Sequence, residues 1–148
     1  MTKYGDTLHK RIGIQRQSVI IKKTVEQLKQ AGFKVHSLGA NLKEDMNDKI
    51  DVFLQFDEST PFHGKTKVAV DVKWNRTLTV LNKNNEDTLL ASKSDYLVFE
   101  VNENLHWFKK EDVKDWVYKN SHRIKDNKQG DGSKWICVVG SCPHELNL

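Results

Sequence analysis

"KIDVFLQFDESTPFHGKTKVAVDVKW", residues 49–74, holds two runs of alternating character joined by a turn-rich segment. In the first run Ile50, Val52, Leu54 and Phe56 share one side, and Asp51, Phe53 and Gln55 the other. In the second, Val68, Val70, Val72 and Trp74 oppose Ala69, Asp71 and Lys73. A period of two is that of a half-buried strand. Residues 57–66 carry Pro61 and Gly64, so the whole reads as an antiparallel hairpin with a long loop. A loop centred near residue 61 sets Val52 against Val70, Leu54 against Val68 and Ile50 against Val72, which makes one face wholly apolar. On the other face Phe53 meets Ala69, Gln55 meets Lys67 and Asp51 meets Asp71. A one-residue slip would mix the faces, and a two-residue slip would leave the two aspartates as diagonal neighbours.

Like charges placed opposite one another across a sheet are destabilising. Lys73 projects from the same face as Asp71, one pleat along, and can neutralise part of that charge. A hard divalent cation does so better, and Mg²⁺ suits one or two carboxylates completed by water and phosphate oxygens. Two carboxylates for a metal with an ammonium beside them is the equipment for phosphodiester hydrolysis. The metal polarises the phosphoryl oxygen and acidifies water, and the ammonium steadies the developing charge. Exposed strand faces also carry Asp and Lys routinely, so D-x-K alone is a weak signal. What strengthens it is Asp51 at the matching place on the preceding strand.

This pair of strands resembles the core of the PD-(D/E)xK nuclease superfamily, the restriction-endonuclease-like fold. There an Asp begins one strand and a (D/E)-x-K motif closes the next. A preceding helix followed by "QAGFKV" is similar to the order in Holliday-junction resolvases and related phage nucleases. The resemblance spans roughly residues 17–101 in element order, with specific residues at Asp51, Asp71 and Lys73. It implies that Asp51 and Asp71 ligate Mg²⁺ or Mn²⁺ together with the backbone carbonyl of Val72. It also implies that Lys73 orients or activates the attacking water. Ile50 stands where the family has a proline. Many members carry a glutamate on the first helix, and that position falls here near Ile20 or Ile21. Glu26 is the acid on this helix and reads as a surface residue; Gln17 is a second accessory candidate.

The rest of the chain fits one α/β domain of 148 residues with a central mixed β-sheet flanked by helices. In residues 17–31, Val19, Ile20, Ile21, Val25 and Leu28 make a helical stripe, with Gly32 placed as its C-terminal cap. Residues 1–16 read as a basic arm or short helix. "FKVHSL" is a short strand and "DYLVFEV" (95–101) a strong one, followed by a turn and "LHWF". Residues 77–94 are ambiguous between strand and loop, then a short helix. "KKEDVKDWVYKNS" has Val113, Trp116 and Val117 at helical spacing, "RIKDNKQGDGSK" is a polar loop, and "WICVVG" is a last strand.

The net charge is +4, unevenly spread. Residues 1–34 hold eight basic side chains against two acidic ones, which leaves the remainder at −2. Such a basic quarter suits a polyanion. Lys10, Arg11, Arg16, Lys22 and Lys23 form the candidate phosphate-binding surface. The expected partner is DNA, with RNA open, and two sites acting on two strands imply a homodimer or higher homo-oligomer. No apolar run reaches the length of a membrane span, the N-terminal stretch has no signal-like apolar core, and two cysteines fit a reducing compartment. A cytoplasmic protein is expected. Cys137, Cys142 and His144 lack zinc-site spacing, so Cys137 is expected in a buried strand and Cys142 in a terminal loop. His63 lies in the hairpin loop, where it reads as solvated or as a DNA contact. The four tryptophans, Trp74, Trp107, Trp116 and Trp135, are expected in the core. The function expected is that of a Mg²⁺-dependent endodeoxyribonuclease, structure-selective or site-specific. The alternative is a catalytically inactive nucleic-acid- or protein-binding member of the same fold.

Overall fold

The computed structural model describes residues 8–41, 48–62, 64–82, 84–127 and 130–148, with residues 8–14 as backbone only. A long helix comes first, α1 (Leu8–Gln30), so the part of the basic arm from residue 8 continues the helix instead of preceding it. Its end is a Schellman turn. Gly32 takes φ +99°, its N–H donates to the Lys29 carbonyl, and the Phe33 N–H reaches back to that of Leu28 at 3.0 Å. A residue with a side chain would be strained there, which is why the chain has glycine at this position.

Three strands follow: β1 (Val35–Gly39), β2 (Val52–Phe56) and β3 (Lys67–Lys73). The β2–β3 register is the one the alternation predicts, with Val52 opposite Val70, Phe53 opposite Ala69, Leu54 opposite Val68 and Gln55 opposite Lys67. The chain then leaves the sheet for β4 (Thr77–Leu81) and a single helical turn, α2 (Thr88–Ala91), capped by the Asp87 carboxylate. It returns as β5 (Tyr96–Val101), which lies parallel to β3. A two-residue turn, with Asn102 and Glu103 both at positive φ, leads into β6 (Asn104–Lys109). After it come α3 (Lys110–Lys119), a short 3₁₀ turn, β7 (Lys125–Asp126), β8 (Lys134–Cys137) and β9 (Glu145–Leu146).

The main sheet is mixed and six-stranded, in the order β1-β2-β3-β5-β6-β9. A second, three-stranded sheet has the order β4-β8-β7. The sequence reading assigned "WICVVG" no partner, and β8 in fact pairs with β4 away from the main sheet. Each face of the main sheet has its own apolar layer. On one, Ile20 and Leu28 of α1 pack on Val52, Leu54, Val68, Val70, Val98 and Trp107. On the other, Leu97, Phe99 and Phe108 meet Val113, Trp116 and Val117 of α3 and Leu78, Val80 and Ile136 of the second sheet. Among the described residues no helix is long and apolar enough to cross a membrane.

The hairpin loop is not a free tail. Phe62 is buried between Phe56, Tyr96 and Trp107, with ring centroids 4.4–5.7 Å apart. His63 lies outside the described residues. Trp107 and Trp116 are buried and Trp135 half-buried, but Trp74 is 45% exposed. Strand β3 ends at Lys73, so the alternation that would have turned Trp74 inward stops one residue short of it. Cys137 is half-buried, whereas Cys142, in a turn, is the buried thiol, and burial pushes its pKa up.

Candidate functional site: a carboxylate pair at the end of β3

The regular ladder between β2 and β3 stops at Val52. Lys49, at φ 58°, turns the incoming chain, and Asp51 enters one residue out of step, its N–H donating to the Val70 carbonyl at 3.0 Å. Where the next backbone acceptor would lie, Oδ2 of Asp51 accepts from the Val72 N–H at 2.7 Å. The side chain thus replaces a rung of the ladder, so the aspartates do not face each other as a regular pair. They still come together in one cleft, close enough for Asp71 to act on the Asp51 carboxyl. Nζ of Lys73 lies 3.1 Å from Oδ2 of Asp71, which is 7% exposed.

The electrostatics follow from this crowding. Burial first, then the charge and hydrogen bond of Asp71, raise the Asp51 pKa to about 8; the Val72 N–H and Lys73 pull the other way. Burial and its neighbour thus favour the protonated form of Asp51. Burial works against the charge on Lys73, but Asp71 and Asp51 outweigh it and its pKa is raised.

These residues form one wall of a cleft of about 530 Å³. Gln17 of α1, Trp74 and Asn75 line it too, and the opposite wall comes from β4 and α2 through Thr77, Thr79 and Thr88. The Thr88 hydroxyl donates to the Thr79 carbonyl and ties those two elements together. The Asp71–Lys73 ion pair therefore borders open space instead of filling it.

The other sequence candidates divide. Gln17 sits in the cleft one turn before the buried Ile20, on the helical face that continues through Thr24 and Leu28. Glu26 is exposed and is not part of the cleft lining. Arg16 and Lys23 are brought together with Glu100 of β5, 7% exposed, at 3.6 and 2.6 Å. Lys22 is exposed, and the side chains of Lys10 and Arg11 lie outside the described residues. The wall residues from β4 and α2 went unrecognised in the sequence. Threonine and asparagine between ambiguous elements carry no periodic signal.

Among the described residues no group of three or more His, Cys, Asp or Glu side chains is placed to hold a metal. Zinc, which takes three or four protein ligands, does not suit the site. Two neighbouring carboxyls, one with its pKa raised by the other, do suit a hard divalent ion, which would relieve their repulsion and complete its shell with water and phosphate oxygens. Comparison of the chain with protein-family models, with curated proteins and with solved structures returns no match.

Proposed function

We propose that the protein is a metal-dependent nuclease that hydrolyses DNA phosphodiester bonds, with a restriction-endonuclease-like fold. The observation that carries this reading is the meeting of Asp51, Asp71 and Lys73 at the rim of an open cleft at the end of β3. The element order, a helix, three antiparallel strands, a crossover through β4 and the single turn α2, and a strand parallel to β3, supports the family resemblance.

In this reading Asp51 and Asp71 would hold Mg²⁺ or Mn²⁺, with the Val72 carbonyl as a further ligand. When bound, the ion polarises the phosphate and acidifies a water. The Val72 N–H fixes the Asp51 carboxylate, so the donor pair is set before substrate arrives. Lys73, held charged by its neighbours, places its ammonium beside the attacked phosphate and steadies the added negative charge. The water oxygen forms the new P–O bond as its proton passes to solvent, the bond to the leaving sugar oxygen breaks, and that oxygen takes up a proton from solvent. The Gln17 amide can orient the incoming water or a phosphate oxygen. Lys22 and the basic N-terminal stretch would meet the flanking backbone, and RNA is an open second ligand. One chain offers one site, so cleavage of both duplex strands calls for a homodimer or higher homo-oligomer.

The test is nicking of plasmid, single-stranded and four-way-junction DNA in Mg²⁺ or Mn²⁺. Asp71→Asn and Lys73→Ala are each expected to lower cleavage on the order of 10²- to 10³-fold while DNA affinity is kept. Cleavage unchanged in both variants would refute the assignment. A second reading, a binding module without catalysis, is favoured by the exposure of Glu26, which leaves two acids in the cleft. Metal-independent binding with no cleavage of any substrate would select it.

A further inference from the structure

We propose that Trp74 is a stacking platform for an unpaired DNA base, and that the cleft therefore takes strands with unstacked nucleotides in preference to intact duplex. The inference rests on the nuclease reading of the same cleft and adds its substrate class.

Trp74 follows Lys73 directly, lines the cleft and is 45% exposed. A large aromatic surface left in water beside a charged site lacks the packing that explains the other tryptophans. Nor is it on a loose loop. Oδ1 of Asn75 accepts from both the N–H and the hydroxyl of Thr77, at 2.8 and 2.7 Å. The Arg76 carbonyl accepts from the N–H groups of Val138 and Val139, at 2.8 and 3.2 Å. The backbone on both sides of the indole is thus fixed, by β3 before it and by these bonds after it. An aromatic carried on a fixed backbone needs less ordering when a base settles on it than one on a loose loop, and every base offers it a π-face. A base stacked in a duplex is covered on both faces and cannot use the platform without being extruded. A base in a gap, flap or single strand can. The cleft volume, about 530 Å³, suits a nucleotide, and Asn75, Asn82 and the threonines of β4 supply polar edges around it.

The experiment compares the wild-type protein with Trp74→Ala and Trp74→Phe, first in EDTA and then in Mn²⁺. In EDTA, Trp74→Ala is expected to weaken binding of a single-stranded oligonucleotide by about 5- to 100-fold and to leave duplex affinity within about twofold. Trp74→Phe retains most of the affinity. With an oligonucleotide of abasic residues the wild type and Trp74→Ala bind alike. Equal loss on both DNA forms, no loss on either, or an undiminished Ala penalty on the abasic strand would overturn the platform. The Mn²⁺ arm separates the two claims. Trp74-dependent binding without cleavage upholds the platform and removes the nuclease. Cleavage of single-stranded and duplex DNA that is equally insensitive to Trp74 upholds the nuclease and removes the platform.

Discussion

Asp51 has two tasks, holding β3 through the Val72 N–H and facing Asp71 as half of a charged pair. Its raised pKa makes the cost of the second task readable. Below about pH 4 folded and unfolded chains both keep the proton. Between about 4 and 8 the folded chain keeps it and the unfolded chain releases it, so stability falls as pH rises through that window. Asp51→Asn keeps an acceptor for Val72 and removes the charge. It should be more stable than wild type at pH 9 by roughly 2 kcal/mol, the open cleft screening part of the repulsion, and the gain should vanish by pH 4. Chemical denaturation across pH measures this. Mn²⁺ added at pH 9 should raise the wild-type melting temperature and leave Asp51→Asn unmoved. Gln17 offers the complementary change: Gln17→Glu would put a third carboxylate in the cleft and is expected to tighten Mn²⁺ binding about five- to tenfold by calorimetry. The aspartate pair was legible because alternation and loop length set the parity of two neighbouring strands. The half-step of Asp51 out of the ladder was not, since it depends on the backbone turn at Lys49.

At the level of elements, α1 is fixed to the sheet by more than its apolar stripe. Glu100 of β5 gathers Lys23 and Arg16, and the Trp107 indole donates to Gln27 at 2.9 Å. Glu100→Ala leaves a half-buried ammonium without its partner and should cost about 2 kcal/mol in urea unfolding, between the values of exposed and buried pairs. Phe62 anchors the hairpin loop, and Phe62→Ala should cost about 3–5 kcal/mol by the same measurement. A loop with Pro61 and Gly64 reads as solvent-facing, and nothing local marks Phe62 as core; its partners come from β2, β5 and β6. The Gly32 cap, by contrast, was readable because a helix end is a local event. Lys23 and Arg16 looked like free phosphate ligands for the converse reason, since Glu100 is far from them along the chain.

Across the whole molecule the two apolar layers share β5, with Tyr96 and Val98 facing one and Leu97 and Phe99 the other. Neither layer can come apart without disturbing that strand, so a single unfolding transition is expected. Leu54→Ala in one layer and Ile136→Ala in the other should each lower it by about 2–5 kcal/mol. Two separate transitions by circular dichroism and tryptophan fluorescence would contradict this. Periodicity showed that "WICVVG" and "TLTVL" had apolar sides, but which strand each would join is a long-range matter that periodicity does not encode. The pairing of β4 with β8 has a consequence for biosynthesis. The strand that braces the β4 side of the cleft, and the clasp on Arg76, belong to residues emerging some sixty positions after Asp71. A nascent chain still threaded in the ribosome at residue 130 can have paired its aspartates yet lack the strand that steadies β4. That brace is complete only once translation has passed Val139.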